Sequence, residues 1–357
     1  MTPDFWNNRR VYITGHTGFK GSWLSYWLSS LGAVVTGYSL APHTAPSLFH
    51  DAKIETVIES ELGDIRDLTK LTNTLNRAQP EIVFHLAAQP LVRLSYKEPI
   101  ETFEINALGT ANLLQAIRSL SSVRAVICVT TDKCYENCEW EWPYRENDRL
   151  GGSDPYAASK ACAEIIVASY KRSFFSYHGA PGVATARGGN VIGGGDWSED
   201  RIIPDLVRHF VMGKPAQVRN PSAVRPWQSV LDALHGYLML AEKLYGEPED
   251  FSEAWNIGPP ATAEMTVREV ANAFAAGWGN GASWEHKTDG VAPHEANLLK
   301  LDSSKARARL GWRDLLPTDV VISDTASWYA DHFLGRPAAS LVGDAIKAFQ
   351  KLMESCS

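Results

Sequence analysis

A glycine turn sets the tightest limit on what this chain can fold into. Arg10-Val11-Tyr12-Ile13-Thr14 reads as a strand and runs directly into Gly15-His16-Thr17-Gly18-Phe19-Lys20-Gly21. The glycines recur as Gly-x-x-Gly-x-x-Gly, and a helix is expected from about Ser22 to Leu31. Glycines let the backbone turn tightly there and let a pyrophosphate approach the helix N-terminus. At that end, free N–H groups and the helix dipole favour negative charge. A glycine pattern alone is weak evidence, but between a strand and a helix it points to a dinucleotide. Gly15, Thr17, Gly18, Phe19 and Lys20 are the candidate contacts, with Lys20 adding positive charge near the phosphates.

Strand-like and helical segments alternate through the rest of the first half. Val34 to Tyr38 reads as a strand, and Glu55 to Glu59 as another that leads into the loop Gly63 to Asp67. Glu81 to His85, Ala125 to Val129 and Gly182 to Ala186 are further strands. Asn106 to Leu120 and Tyr156 to Phe174 read as long helices. This order implies an α/β fold with a doubly wound, parallel Rossmann sheet. After Asn190 the texture changes: Gly193-Gly194-Gly195 opens a stretch carrying Pro204, Pro215, Pro221 and Pro226. Such density suggests a cap over a site rather than more sheet. Ser229 to Tyr245 then reads as a helix, Ala254 to Gly258 as a last sheet strand, and Val267 to Trp278 as a lobe helix. The expected division is a dinucleotide-binding Rossmann domain at 1–190, with 226–260 returning to it. A smaller, mixed C-terminal substrate lobe takes 191–225 and 261–357.

Composition narrows the function classes. The 357 residues are 45% hydrophobic, enough for a real core, and carry a net charge of −7, which argues against a nucleic-acid surface. No apolar run approaches the roughly 20 residues of a membrane helix. Met1 to Arg10 is polar and has no signal-peptide layout, so a cytoplasmic protein is expected. The five cysteines form no disulfide framework. Cys134 and Cys138 lack a second Cys or His pair at matching spacing, so no metal is expected. Cys128 and Cys162 read as small core residues, His85 as a satisfied buried histidine, and Cys356 as exposed.

The second strand ends in Tyr38-Ser39-Leu40-Ala41-Pro42, where a carboxylate usually holds the adenosine ribose. Ser39 can bond that ribose, though more weakly. No Arg or Lys stands there for a 2′-phosphate, so the cofactor expected is NAD rather than NADP.

The chemistry lies in two short runs. Tyr156 and Lys160 are four apart and share a helix face, where an ammonium can stabilise a phenolate and draw the Tyr pKa towards neutral. Thr131-Asp132-Lys133 lies just upstream. Thr131, Tyr156 and Lys160 on this frame resemble the extended short-chain dehydrogenase/reductase family. Four further stretches support the resemblance. Leu86-Ala87-Ala88-Gln89 resembles its nicotinamide-side loop, Asn106-Ala107-Leu108-Gly109-Thr110 its Asn-x-x-Gly-Thr helix, Asp64-Ile65 its adenine contact, and Arg187-Gly188-Gly189-Asn190-Val191 its Arg-x-x-Asn-Val segment. The resemblance covers about residues 8 to 335.

Within the family, a Thr-Asp-x triplet marks the nucleotide-sugar 4,6-dehydratases. Lys133 in its third place, together with the glycine turn and Val224-Arg225-Pro226-Trp227-Gln228, is similar to the branch acting on CDP-glucose. The resemblance implies oxidation at C4, loss of water between C5 and C6, and reduction at C6, with NAD regenerated. It makes Tyr156 the base at the 4-hydroxyl, with Thr131 and Lys160 as its partners, and Asp132 the acid of the elimination. Lys133 is then either a neutral base or a charged stabiliser of the enolate. Gln89, Arg93, Tyr96, Asn190, Arg201, Arg219 and Arg225 are the candidate substrate contacts. A homodimer through a four-helix bundle of the Asn106–Leu120 and Tyr156–Phe174 helices is also implied. The rival readings are a dehydratase for a dTDP- or GDP-hexose, a 4-epimerase, and a redox-sensing NAD-binding protein.

Overall fold

The computed structural model describes residues 1–260, 263–287 and 298–355; Cys356 lies outside them. Seven parallel strands form the main sheet: β1 (Arg10–Thr14), β2 (Val34–Ser39), β3 (Glu59–Leu62), β4 (Ile82–His85), β5 (Ala125–Thr131), β6 (Gly182–Gly188) and, late in the chain, β10 (Ala254–Ile257). Their spatial order is β10-β6-β5-β4-β1-β2-β3, so the chain winds outward in one direction from β1 and then in the other. All residues of β4, β5 and β6 are buried, as expected where helices cover both faces. The polar β3, Glu59 to Leu62, closes one edge and is only part-buried.

The expected strand at Glu55 to Glu59 falls in a different place. Ile54 to Thr56 forms one tight helical turn that buries Ile54, and the strand begins at Glu59. Pairing decides this: Glu59 to Leu62 match Thr36 to Ser39 residue for residue. The helix at Asn106 also differs. Helical backbone starts at Pro99, opens into a π turn over Glu104–Leu108, and resumes over Gly109–Ile117. Such wide turns are common beside functional sites. The Pro155–Phe174 helix forms where expected. Pro155 fits its first turn, and Asp154 accepts from the Ala157 N–H at 2.9 Å.

The smaller lobe holds two short sheets. β7 (Asn190–Ile192), β9 (Val224–Ser229) and β11 (Glu264–Thr266) make one, in the order β11-β9-β7. β8 (Ala216–Val218) pairs with β12 (Trp284–His286) in the other. Residues 226–229 belong to the lobe, because Pro226 pairs with Glu264 and Trp227 with Asn190. The return to the main sheet begins with the helix Val230–Gly246, which packs on β5 and β6. The terminal helix Ala338–Ser355 packs on the Phe19–Ser30 helix of the first half as well as on the Thr318–Phe333 helix before it. Its Phe349 meets Trp27 of the Phe19–Ser30 helix edge to face, with ring centroids 5.7 Å apart. Eight of the twelve tryptophans are buried, with Trp6, Trp23, Trp27, Trp255 and Trp312 fully so, and most of them therefore serve packing.

Candidate active site

A groove of about 1010 Å³ runs between the C-terminal ends of the main strands and the lobe. In doubly wound sheets ligands bind outside these strand ends, where the order of strands reverses. Here the reversal lies between β1 and β4.

One end of the groove is built by the glycine turn. Gly15 has φ +79°, and a Cβ there would sit 2.6 Å from the Ala87 nitrogen. At Gly21 it would sit 2.0 Å from the Gly15 carbonyl oxygen. These two glycines let the turn close against the loop after β4 and against itself. Gly18 is different, since its nearest neighbour would be 3.4 Å away, and it faces the groove. No side chain caps the Phe19–Ser30 helix, so its first N–H groups remain for an anion. These features fit a dinucleotide's pyrophosphate. Thr17 and Ser39 bond each other at 2.9 Å at the end of β2, and both line the groove. Asp64, Ile65, Leu86, Ala87 and Ala88 line it too, but Arg66 grips the Asp64 carboxylate, with Nη2 to Oδ2 at 2.7 Å. Lys20 also faces the groove, 3.4 Å from the Tyr237 hydroxyl. Burial lowers its ammonium to about 7, and the charges of Lys160 and Arg201 push the same way.

The reaction centre sits at the mouth of β5. Thr131 donates to Asp132 Oδ1 at 2.9 Å, and Lys133 Nζ donates to the same oxygen at 3.2 Å. Asp132 is buried, while Lys133 reaches the groove. A Cβ on Gly189 would come within 3.3 Å of the other Asp132 oxygen, so the end of β6 packs on that carboxylate. Tyr156 and Lys160 project into the same space from the Pro155–Phe174 helix and are buried. The expected neutral-range phenol is not what the structure holds. Burial pushes Tyr156 up to about 12; the Thr131 hydrogen bond opposes this and the Asp132 charge adds to it. Lys160 donates to the Val129 carbonyl at 3.3 Å, and burial lowers its ammonium to about 8.

Other expectations are redistributed. Asn106 does not line the groove. Its amide accepts from the Gln89 N–H at 2.8 Å and donates to Ser159 Oγ at 2.8 Å, so it braces the loop after β4 from behind. Gln89 lines the groove, but its side chain is occupied by Leu91 and Thr102. Tyr96 is 42% exposed and lies outside the groove lining. Arg93, Asn190, Arg201, Arg219 and Arg225 all line it. Arg201 pairs with Asp196 at 2.9 Å, and Arg219 pairs with Asp200. His85 is buried between the Thr14 and Thr110 hydroxyls, at 2.7 and 3.0 Å. Among the described residues no group of three or more His, Cys, Asp or Glu could hold a metal.

Sequence reasoning missed what stands behind the centre. Glu164 and Arg187 form a fully buried ion pair at 2.8 Å. Glu164 also accepts from Thr130 and from Thr185, and Arg187 Nη1 donates to Tyr135 Oη at 2.8 Å. Tyr135 in turn donates to Asn256 at 2.7 Å. One network therefore joins the helix of Tyr156 to β5, β6 and β10. The signal was present, since Tyr156, Lys160 and Glu164 recur every four residues on one helix face.

The family model described as GDP-mannose 4,6 dehydratase matches residues 12–325. The chain belongs to this family. It is 48% identical over 335 residues to a CDP-glucose 4,6-dehydratase of Salmonella typhimurium, covering 92% of each chain. A UDP-glucose 4-epimerase structure from Thermus thermophilus, solved with NAD, aligns with a TM-score of 0.77 at 25% identity, covering 91% of this chain and 99% of that one. A dTDP-glucose 4,6-dehydratase structure from Streptomyces venezuelae aligns equally well, at 24% identity over 92% of this chain and 99% of that one, and shows a shared fold.

Proposed function

We propose that this dehydratase uses NAD to convert CDP-glucose to CDP-4-keto-6-deoxyglucose. The observation that carries the reading is that Thr131, Lys133 and Tyr156 line one groove with an uncapped phosphate-type helix end, with Asp132 buried just behind in contact with Thr131 and Lys133. The choice of CDP-glucose rests on the 48% identity to the Salmonella enzyme; the dTDP-glucose relative of Haemophilus influenzae reaches only 25%. An epimerase has no need for an acid and an amine beside the Thr.

NAD supplies the acceptor for the C4 hydride and the donor for C6. Tyr156 takes the proton of the 4-hydroxyl while Thr131 holds that oxygen, and Lys160 steadies the phenolate. The 4-keto group then acidifies C5–H. Asp132 and Lys133 share a contact of 3.2 Å. That contact lets an amine base and a carboxylic acid work as one pair. Lys133 then removes the C5 proton, Asp132 protonates the departing 6-hydroxyl, and water leaves as the C5–C6 double bond forms.

The decisive experiment incubates the protein with CDP-, dTDP-, GDP- and UDP-hexoses, with and without NAD. The product is read from the alkaline absorbance of a 4-keto-6-deoxy sugar. Failure with CDP-glucose and NAD would overturn the assignment. For Lys133→Ala, solvent deuterium entry at C5 should slow by about 10²- to 10⁴-fold, the span of general-base contributions. Unchanged exchange would remove Lys133 as the base.

We further place the protein in the cytoplasm as a homodimer. The described cysteines are all free thiols, and no described helix is long and apolar enough to cross a membrane. The helical stretch 99–117 packs beside the Pro155–Phe174 helix, and Ile100, Leu108 and Ile165 are 71%, 58% and 58% exposed there. A second copy of the same face would cover them in a four-helix bundle. Ile165→Glu should shift the sedimentation of a dimer to that of a monomer; an unchanged dimer would exclude this face.

A further inference from the structure

Two arginines from opposite walls of the groove converge on one carboxylate. Arg93 comes from the Val92–Lys97 helix after β4, and its Nη1 lies 3.8 Å from Asp200 Oδ1. Arg219 follows β8 in the lobe, and its Nη1 holds the same oxygen. Arg219 Nη2 also reaches the Asp200 carbonyl at 3.5 Å. All three residues line the groove.

The neighbouring pair shows what is unusual here. Asp196 also holds an arginine, Arg201, but its side chain is only 6% exposed. It also accepts the Ser198 N–H at 3.0 Å, and Tyr329 Oη donates to its carbonyl. That pair is built into the loop. Asp200 is 41% exposed, and its backbone sits in the left-handed region at φ +60°. Asp tolerates that conformation only at some cost. Exposed ion pairs of this kind are weak. A guanidinium fork recognises phosphate as readily as carboxylate.

We propose that Asp200 is a placeholder for the substrate's diphosphate, occupying the Arg93–Arg219 cradle until the nucleotide sugar displaces it. This rests on the reading of the groove as a nucleotide-sugar site. It makes Asp200 a residue that sets affinity from the free state. The carboxylate keeps two like-charged guanidiniums together across the groove, and every binding event must break its two contacts. Diphosphate, with two ionised groups, spans both arginines where one carboxylate cannot. A ligand with a single phosphate leaves one guanidinium unmatched and competes less well.

The test uses the full-length protein saturated with NAD, so that the cofactor's phosphate site is filled. Binding of CDP, CMP and inorganic pyrophosphate is measured by titration calorimetry for wild type, Asp200→Asn and Asp200→Glu. Losing two weak ion-pair contacts predicts CDP and pyrophosphate binding about two- to thirtyfold tighter in Asp200→Asn. CMP should gain less, and Asp200→Glu should stay near wild type. Equal or weaker pyrophosphate and CDP binding in Asp200→Asn would overturn the proposal, because Asp200 would then be orienting the arginines for the ligand. Pyrophosphate carries no base, so a wrong choice of cytosine would show as poor CDP binding in every variant and leave the Asp200 comparison intact.

Discussion

Tyr156→Phe should abolish turnover while leaving nucleotide binding almost intact. The hydroxyl removed is the one that Thr131 touches and that burial has pushed up to about 12. The ring stays, so the packing of the Pro155–Phe174 helix is preserved. A positioned acid or base is worth about 10² to 10⁴ in rate. Product formation from CDP-glucose should fall by about 10³-fold or more, with the Kd for CDP changed less than twofold, about what an exposed-contact perturbation costs. The companion variant is Lys160→Met. If the phenolate is the working base, the rate rises as pH passes upward through the Tyr156 pKa. A nearby ammonium lowers that pKa, so its loss moves the rising limb to higher pH. A rising limb that stays put in Lys160→Met would show that Lys160 does not act on the phenol.

The two chemical runs were legible because their meaning is local. The glycine turn works through backbone close to itself, and the Tyr–Lys spacing is set by one helix. The strand-turn-helix and the Tyr156–Lys160 helix both formed, and the central strands are fully covered. Contacts between residues distant in sequence were not legible. Asn106 carries a family-like motif, but a π turn aims its amide at Gln89 and Ser159 instead of into the groove. The strand expected at Glu55 moved because register with β2, not local propensity, sets where an edge strand begins. That Phe349 of the terminal helix meets Trp27, near the other end of the chain, is likewise nothing that spacing encodes. The arginines of the groove were identifiable by type. That Asp200 and Asp196 hold two of them in different ways depends on loop geometry that spacing does not encode.

Cutting the buried pair behind the centre should cost more stability than any other single change discussed. Arg187 and Glu164 are 4% and 3% exposed and meet at 2.8 Å. Removing one partner leaves a charge without compensation in the interior, which costs about 3 to 5 kcal/mol. That is a large share of the roughly 5 to 15 kcal/mol by which domains are stable. Arg187→Met strands the Glu164 carboxylate with only the Thr130 and Thr185 hydroxyls. Glu164→Gln strands the guanidinium with Tyr135 and the Glu146 carbonyl. Each should lower the urea midpoint sharply, and the double variant should lose less than the sum of the two, since it no longer buries an unpaired charge. Additive losses would mean that the two side chains act independently. The effect should also reach the chemistry. Thr130 is tied to Glu164 and precedes Thr131, while Glu164 lies two turns along the helix from Tyr156. Loosening the tie lets the β5 end drift from the helix, so kcat should fall in folded Glu164→Gln even at saturating substrate. A purely structural brace would lower the midpoint and leave kcat and its pH profile where they were.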